Sequence, residues 1–168
     1  MNALSPAPIA VDERVLEDLR SRLRATIWPE DEGNEDGRYG VPRVMLQELV
    51  RYWAEEYDWR AAERAMNAYE HYLVDVSGTR VHFMRKRGAG PNPVPLILSH
   101  GWPWTFWHWS KVIDRLADPA AFGGDRPIPP GLADDQRQRL DPRGGHFIPW
   151  EIPELWTTDL VRTFKQMR

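Results

Sequence analysis

Two short stretches of the chain hold residues whose types and spacing can do chemistry. The first is His100-Gly101-Trp102-Pro103, which follows the apolar run at 95–99. Gly101 permits a backbone path that a side chain would block. Pro103 fixes its own φ, lacks an N–H and allows a cis bond before it. Together they can hold the Trp102 backbone N–H clear of other partners, and such a fixed donor stabilises a developing oxyanion. The second stretch is Gly144-Gly145-His146-Phe147. A histidine behind two glycines sits on a bendable loop, and its imidazole can serve as general base near neutral pH. Singly, a Gly-x-Pro step reads more readily as a structural turn, and a loop histidine as a surface residue. The two in this order, each ahead of a helix, favour a site.

The elements that must position them follow from periodicity. Residues 1–11 read as an unstructured leader. Val15, Leu16, Leu19, Leu23 and Ile27 recur at helical spacing, with Asp12 as N-cap and Trp28-Pro29 as the stop. The acidic, glycine-rich stretch 30–42 reads as a solvated turn rather than a metal site. A second helix over 43–56 places Met45, Leu46, Leu49, Val50 and Trp53 on one face. Asp58 caps a third over 59–68, which buries Trp59, Ala62 and Met66. The period then changes to two. Tyr72, Val74 and Val76, a Ser77-Gly78-Thr79 turn, and Val81, Phe83 and Arg85 make a hairpin. Residues 95–99, apolar on both faces, read as a buried strand of the kind covered by helices. Phe106, Trp109, Ile113 and Leu116 give a helix starting near Thr105, and Trp156, Leu160 and Phe164 give the last one. The organisation expected is a helical meander over 12–71, first strands and helix over 72–125, an irregular junction over 126–141, and a histidine loop with a helix over 142–168.

The totals narrow the function classes. At 168 residues the chain suffices for one domain with a core. A formal net charge of -3 gives no basic footprint for nucleic acid, and the absence of cysteine excludes disulfides and thiol catalysis. No apolar run approaches the roughly 20 residues of a membrane helix. The first residues lack the basic and apolar regions of a signal peptide, so the default expectation is the cytoplasm. Nine tryptophans suit a bulky core or an aromatic-lined pocket. His100 and His108 have no cysteine or carboxylate at ligand spacing, so no metal is expected there.

At these motifs the chain resembles the microsomal-type epoxide hydrolases, a branch of the α/β-hydrolase superfamily. The likeness runs through "LRSRLRATIWPEDE", "LVRYWAEEYDWRAAERAMN", "GTRVHFMRKR" and "PLILSHGWP…VIDRLADPAAFGGD", and again through "PRGGHFIPWEIPELWTTDLVRTF". It covers 12–125 and 142–168. The resemblance implies a reaction in which an aspartate attacks the epoxide to form an ester. A histidine held by an acid then activates water, lid tyrosines donate protons, and backbone N–H groups hold the oxyanion. By position, His146 is the base and Trp102 supplies an N–H. A small apolar epoxide is the implied ligand, and no cofactor is implied.

Against that pattern the chain reads as internally truncated. The family's nucleophile elbow, lid and acid strand lie between the two matching parts and have no counterpart. About 200 residues are missing, judged against the roughly 250 of large one-domain α/β enzymes plus a lid. Gly123-Gly124-Asp125-Arg126-Pro127 is the nearest substitute elbow, but it has proline where glycine belongs and no strand before it, so no nucleophile is assigned. Asp134, Asp135 and Asp141 can orient His146 only from positions unlike the family's acid. No tyrosine follows Tyr72. Trp104 stands where the family usually has glycine. The fold expected is an incomplete α/β-hydrolase: an N-terminal helical meander, a hairpin plus one core strand, and a C-terminal helix. Direct pairing of strand 80–87 with 95–99 is one way to cover the lone strand, the family pattern with a gap in the sheet is the alternative, and exposed strand edges make self-association an expectation. The functional expectation is an epoxide hydrolase relative inactive on its own. The alternative is a non-catalytic module that binds an apolar ligand or a protein through Trp102, Trp104, Trp107 and Trp109.

Overall fold

The computed structural model describes residues 4–90, 92–123 and 145–166. The chain divides into two units, one of residues 8–68 and one combining 1–7 with 69–168.

The unit of residues 8–68 holds three helices. Helix α1, Glu13–Arg24, begins where the Asp12 carboxylate accepts from Arg14 N–H, and it ends with arginines in its last turn. It stops before the expected Trp28-Pro29. Helix α2, Arg43–Glu55, has Pro42 at its cap position, which offers no side-chain acceptor. The carboxylate of Asp31 takes that role from twelve residues back, accepting from Arg43 N–H at 2.6 Å. Asp31 also accepts from the Asn34 amide at 3.0 Å, and Asn34, 5% exposed, accepts from Tyr39 N–H. The acidic loop is therefore a built cap rather than a merely solvated turn. Helix α3, Trp59–Met66, starts at Asp58, which accepts from Ala61 N–H at 3.0 Å.

The expectation of an unstructured leader over 1–11 is corrected for its described part, residues 1–3 lying outside the described residues. Asn67 exchanges two hydrogen bonds with the backbone of Ile9, and Glu63 and Arg60 bond the N–H and C=O of Val11. These are contacts between residues about fifty positions apart, which no local pattern announces. Burial also departs from expectation. Leu16, Ala54 and Met66 are buried, yet Met45, Leu49 and Trp53 of the α2 stripe remain exposed, as do Val15 and Ile27.

The other unit is mixed α/β, around a three-stranded antiparallel sheet of order β1-β2-β3. Strand β1 is Ser5–Pro6, β2 is Glu70–Val76 and β3 is Thr79–Arg85. Register runs from Glu70 opposite Arg85 to Val76 opposite Thr79, closed by a two-residue turn with Ser77 at φ 53° and Gly78 at φ 85°. Both positive angles mark a primed turn, whose twist suits a hairpin. β1 lies against Tyr72 and Leu73, and Pro6 is tolerated because β1 is an edge.

The expected core strand at 95–99 does not form, nor does its pairing with β3. Among the described residues no backbone–backbone hydrogen bond reaches 94–99, and Ile97 is 93% exposed. The reason lies in the link. Ala89 N–H donates to Ala117 O at 2.8 Å, which leads the chain away from β3 instead of folding it back alongside. Pro93 sits so close to Gly88 that a Cβ there would fall 2.6 Å from it. An apolar run becomes a strand only when an edge is available to pair with it.

The expected continuous helix over 106–116 is also broken. A 3-10 turn, Phe106–Trp109, capped by the Thr105 hydroxyl, precedes a short helix α4, Ile113–Ala117. The 3-10 geometry fans successive side chains about 120° apart. Trp107, His108 and Trp109 thereby meet three different partners: Tyr69, Trp104 and Trp156. Val112, between the two elements, is fully buried. Two further helices follow, α5, Ile148–Glu151, and α6, Pro153–Gln166. No helix among the described residues is long and apolar enough to cross a membrane.

Candidate functional site

The first motif forms a tight turn. Trp104 N–H donates to Gly101 O at 3.0 Å, and the Trp102–Pro103 bond is cis. The Trp102 N–H has no protein acceptor among the described residues, and the Trp102 ring is 89% exposed. His100 lies beside it, with Nδ1 3.3 Å from Gly101 O.

The second motif is shaped by a side chain that the sequence did not single out. The Glu151 carboxylate accepts from Gly145 N–H at 2.5 Å and from Phe147 N–H at 3.1 Å, gripping the backbone on both sides of His146. A Cβ on Gly145 would fall 2.9 Å from that carboxylate, so a larger residue there would push the Glu151 side chain aside. The available signal was a carboxylate one turn after Phe147. The His146 ring is exposed and stands edge-on to Phe147, with centroids 4.8 Å apart.

Trp104 joins the two motifs. Its ring lies 4.6 Å from Phe147, 5.4 Å from Trp150 and 5.3 Å from His108, centroid to centroid. Trp150 Nε1–H donates to His108 O at 2.9 Å. Lys111 donates to Trp150 O and sits over its ring. Arg115 pairs with Glu154 at 2.9 Å on the exposed rim. His108 is buried, and burial first, then the neighbouring His100 and His146, hold its pKa below the usual histidine range. Its Nδ1 and the Trp109 Nε1 are buried without hydrogen-bond partners among the described residues.

The structure thus brings the His100–Pro103 turn and the His146 loop to one aromatic cluster. Among the described residues no carboxylate is hydrogen-bonded to the His146 ring, and no three His, Asp or Glu side chains are grouped to hold a metal ion. Asp125, Asp134, Asp135, Asp141 and Gly144 lie outside the described residues. The four tryptophans do not share one face. Trp102 projects outward, while Trp104, Trp107 and Trp109 are partly buried against separate partners. A free N–H donor beside accessible imidazoles can bind an anion and pass a proton. Ester formation needs a held carboxylate as well, and none among the described residues is bonded to the His146 ring.

The comparisons with known proteins concern part of the chain. A Stigmatella aurantiaca protein whose provisional name is epoxide hydrolase is 44% identical over 121 residues, 72% of this chain and 28% of that protein. Epoxide hydrolase 1 of Oryctolagus cuniculus is 29% identical over 126 residues, again 28% of its length. Among solved structures, juvenile hormone epoxide hydrolase from Bombyx mori superposes with a TM-score of 0.59 at 28% identity, covering 69% of this chain and 32% of that one. Aspergillus niger epoxide hydrolase gives 0.59 at 27% identity, over 64% and 29%. The chain therefore spans about three-tenths of the length of the relatives it matches. The family model described as epoxide hydrolase N terminus matches residues 4–109, and the chain belongs to that family.

Proposed function

We propose that this chain holds the base and the oxyanion donor of an epoxide hydrolase site, His146 and the Trp102 N–H, on an incomplete α/β-hydrolase framework without the nucleophile. On its own it binds a small apolar epoxide without turning it over. One observation carries the reading: Trp104 packs the His100–Pro103 turn against the His146 loop, yet no described carboxylate reaches the imidazole. Removing the nucleophile from such a unit costs many orders of magnitude in rate. The test is diol formation from styrene oxide by the purified, monodisperse chain, with His146→Ala as control. The expected rate equals that of buffer in both. Turnover lost in His146→Ala overturns the proposal.

The second reading, a non-catalytic binding module, is favoured by the exposure of Trp102 and Ile97, 89% and 93%. Titrating tryptophan fluorescence with styrene oxide and with a saturated hydrocarbon of similar size separates the two. Preference for the epoxide that is lost in His146→Ala supports the vestigial site. Equal response to both ligands supports the module.

A further inference from the structure

One face of the hairpin carries a side-chain cluster outside the site described above. The register puts Leu73 opposite His82 and His71 opposite Met84, so His71 and His82 are diagonal neighbours on one face. His71 Nδ1 and His82 Nε2 are 3.1 Å apart, and the rings are within 14° of parallel. Phe106 stands edge-on to both, its centroid 5.4 Å from His71 and 4.8 Å from His82. His71 is 5% exposed, and His82 is half-buried. Phe106 opens the 3-10 turn directly after the His100–Pro103 turn, with only Trp104 and Thr105 between.

A ring nitrogen facing a ring nitrogen at this distance needs one N–H donor and one bare acceptor. A neutral pair, or a pair sharing one extra proton, satisfies that. With both rings charged, two N–H groups confront each other in a half-buried place.

We propose that His71, His82 and Phe106 form an acid-released latch: the hydrogen-bonded imidazole pair holds the start of the Phe106–Trp109 turn against the hairpin, and full protonation of the pair lets it go.

Charged groups of both signs stand around the pair. Asp75 and Arg80 share its face of the hairpin, and the turn packed on it carries His108. Just past β3, Lys86 is ion-paired with Asp114 of α4, which also accepts from Tyr69. β1 contributes only Ser5 and Pro6. The balance favours the neutral form: burial first, and His71 second, hold the His82 pKa below its ordinary range. An unfolded histidine titrates near about 6.5. Between that value and the lower folded one, the unfolded chain binds more protons. The latch's contribution is therefore complete above about pH 6.5 and lost as pH falls through the folded pKa.

The experiment uses the full chain, its His82→Gln variant and its His71→Gln variant. Urea unfolding is followed by circular dichroism from about pH 7.5 to about pH 5. Glutamine keeps a hydrogen-bonding group and removes the charge. His100, His108 and His146 remain in every variant, so their own titration cancels in the comparison. The unfolding constant of wild type should rise on acidification about tenfold more than that of His82→Gln for each unit by which the His82 pKa is lowered. The imidazole proton resonances of His82 should titrate below the ordinary histidine range, with the Phe106 ring resonances shifting at the same step. Should His71→Gln fail to fold, His82→Gln and the resonances decide. Equal acid sensitivity in wild type and His82→Gln, or a His82 imidazole titrating near about 6.5 with no response from the Phe106 ring, overturns the latch.

Discussion

Replacing Trp104 with alanine tests whether one ring holds the two motifs together. That ring makes aromatic contacts with His108, Phe147 and Trp150 at centroid distances of 4.6–5.4 Å. At about 0.5–1.5 kcal/mol each beyond burial, three such contacts are together worth between about 1.5 and 4.5 kcal/mol. Trp104 is only half-buried, so water fills part of the space it leaves. The loss should therefore fall below the roughly 3–5 kcal/mol of a fully enclosed Trp→Ala change, at about 2–3 kcal/mol. With a urea slope of about 1–3 kcal/mol per M, the unfolding midpoint drops by about 0.7–3 M. Trp104→Phe keeps a ring and should recover roughly half of the loss. The second readout is location. Amide hydrogen exchange should accelerate across 145–152 in Trp104→Ala and stay as in wild type across α1, α2 and α3. A stability change under about 0.5 kcal/mol, or exchange that rises equally in both units, would falsify the role given to Trp104.

Two further outcomes follow from local geometry. Ser77 sits at φ 53° and Gly78 at φ 85°, so Ser77→Asn should stabilise by about 0.5 kcal/mol while Gly78→Ala should destabilise by about 1 kcal/mol. Nothing lies within 4 Å of a Cβ at Gly78, so the second effect is conformational, and a harmless Gly78→Ala in urea unfolding contradicts the turn assignment. Burial first, then the hydrogen bond to Asp114, pushes the Tyr69 phenol up to about 12. In an absorbance titration of the five tyrosines, one should ionise last and vanish in Tyr69→Phe. Because the folded pKa is raised, this tie contributes fully below pH about 10 and is lost as pH rises through the folded value. Five tyrosines titrating together would remove it.

What the sequence made legible is what short-range chemistry writes. Asp12 and Asp58 are read as caps because a carboxylate needs only two or three residues to reach its N–H. Ser77-Gly78-Thr79 is read as a turn because the alternating strand pattern breaks there at a glycine, the residue that tolerates positive φ. Asp31 capping α2 from twelve residues away, Asn67 holding Ile9, and β1 lying on β2 were illegible. Each is a contact over distance, and a two-residue strand has no period. The apolar run at 95–99 misled for the opposite reason. Its composition describes a buried strand, but strand formation is a property of the neighbour as well as the segment, and Ala89 is drawn to Ala117 instead. At the site, the two motifs were legible and their connection was not. Trp104 was noted as a departure from glycine, and its partners come from 43 and 46 residues further along the chain.

That departure bears on the oxyanion role proposed for the Trp102 N–H. Such a donor is effective only if its direction is set before charge develops, since reorienting it at the moment of reaction costs what the hydrogen bond gains. In a sheet-based site the strand entering the turn sets that direction through its ladder. Here 94–99 makes no backbone–backbone hydrogen bond among the described residues, so the entering side of Gly101 offers no such anchor. The leaving side does. Trp104 N–H closes the turn on Gly101 O, and the same residue's ring is fixed by Phe147 and Trp150. The Trp102 N–H and His146 consequently share one support, reached through adjacent residues on each side. Position of the donor and position of the imidazole are then not independent variables. A change at Phe147 that shifts the Trp104 ring acts on both.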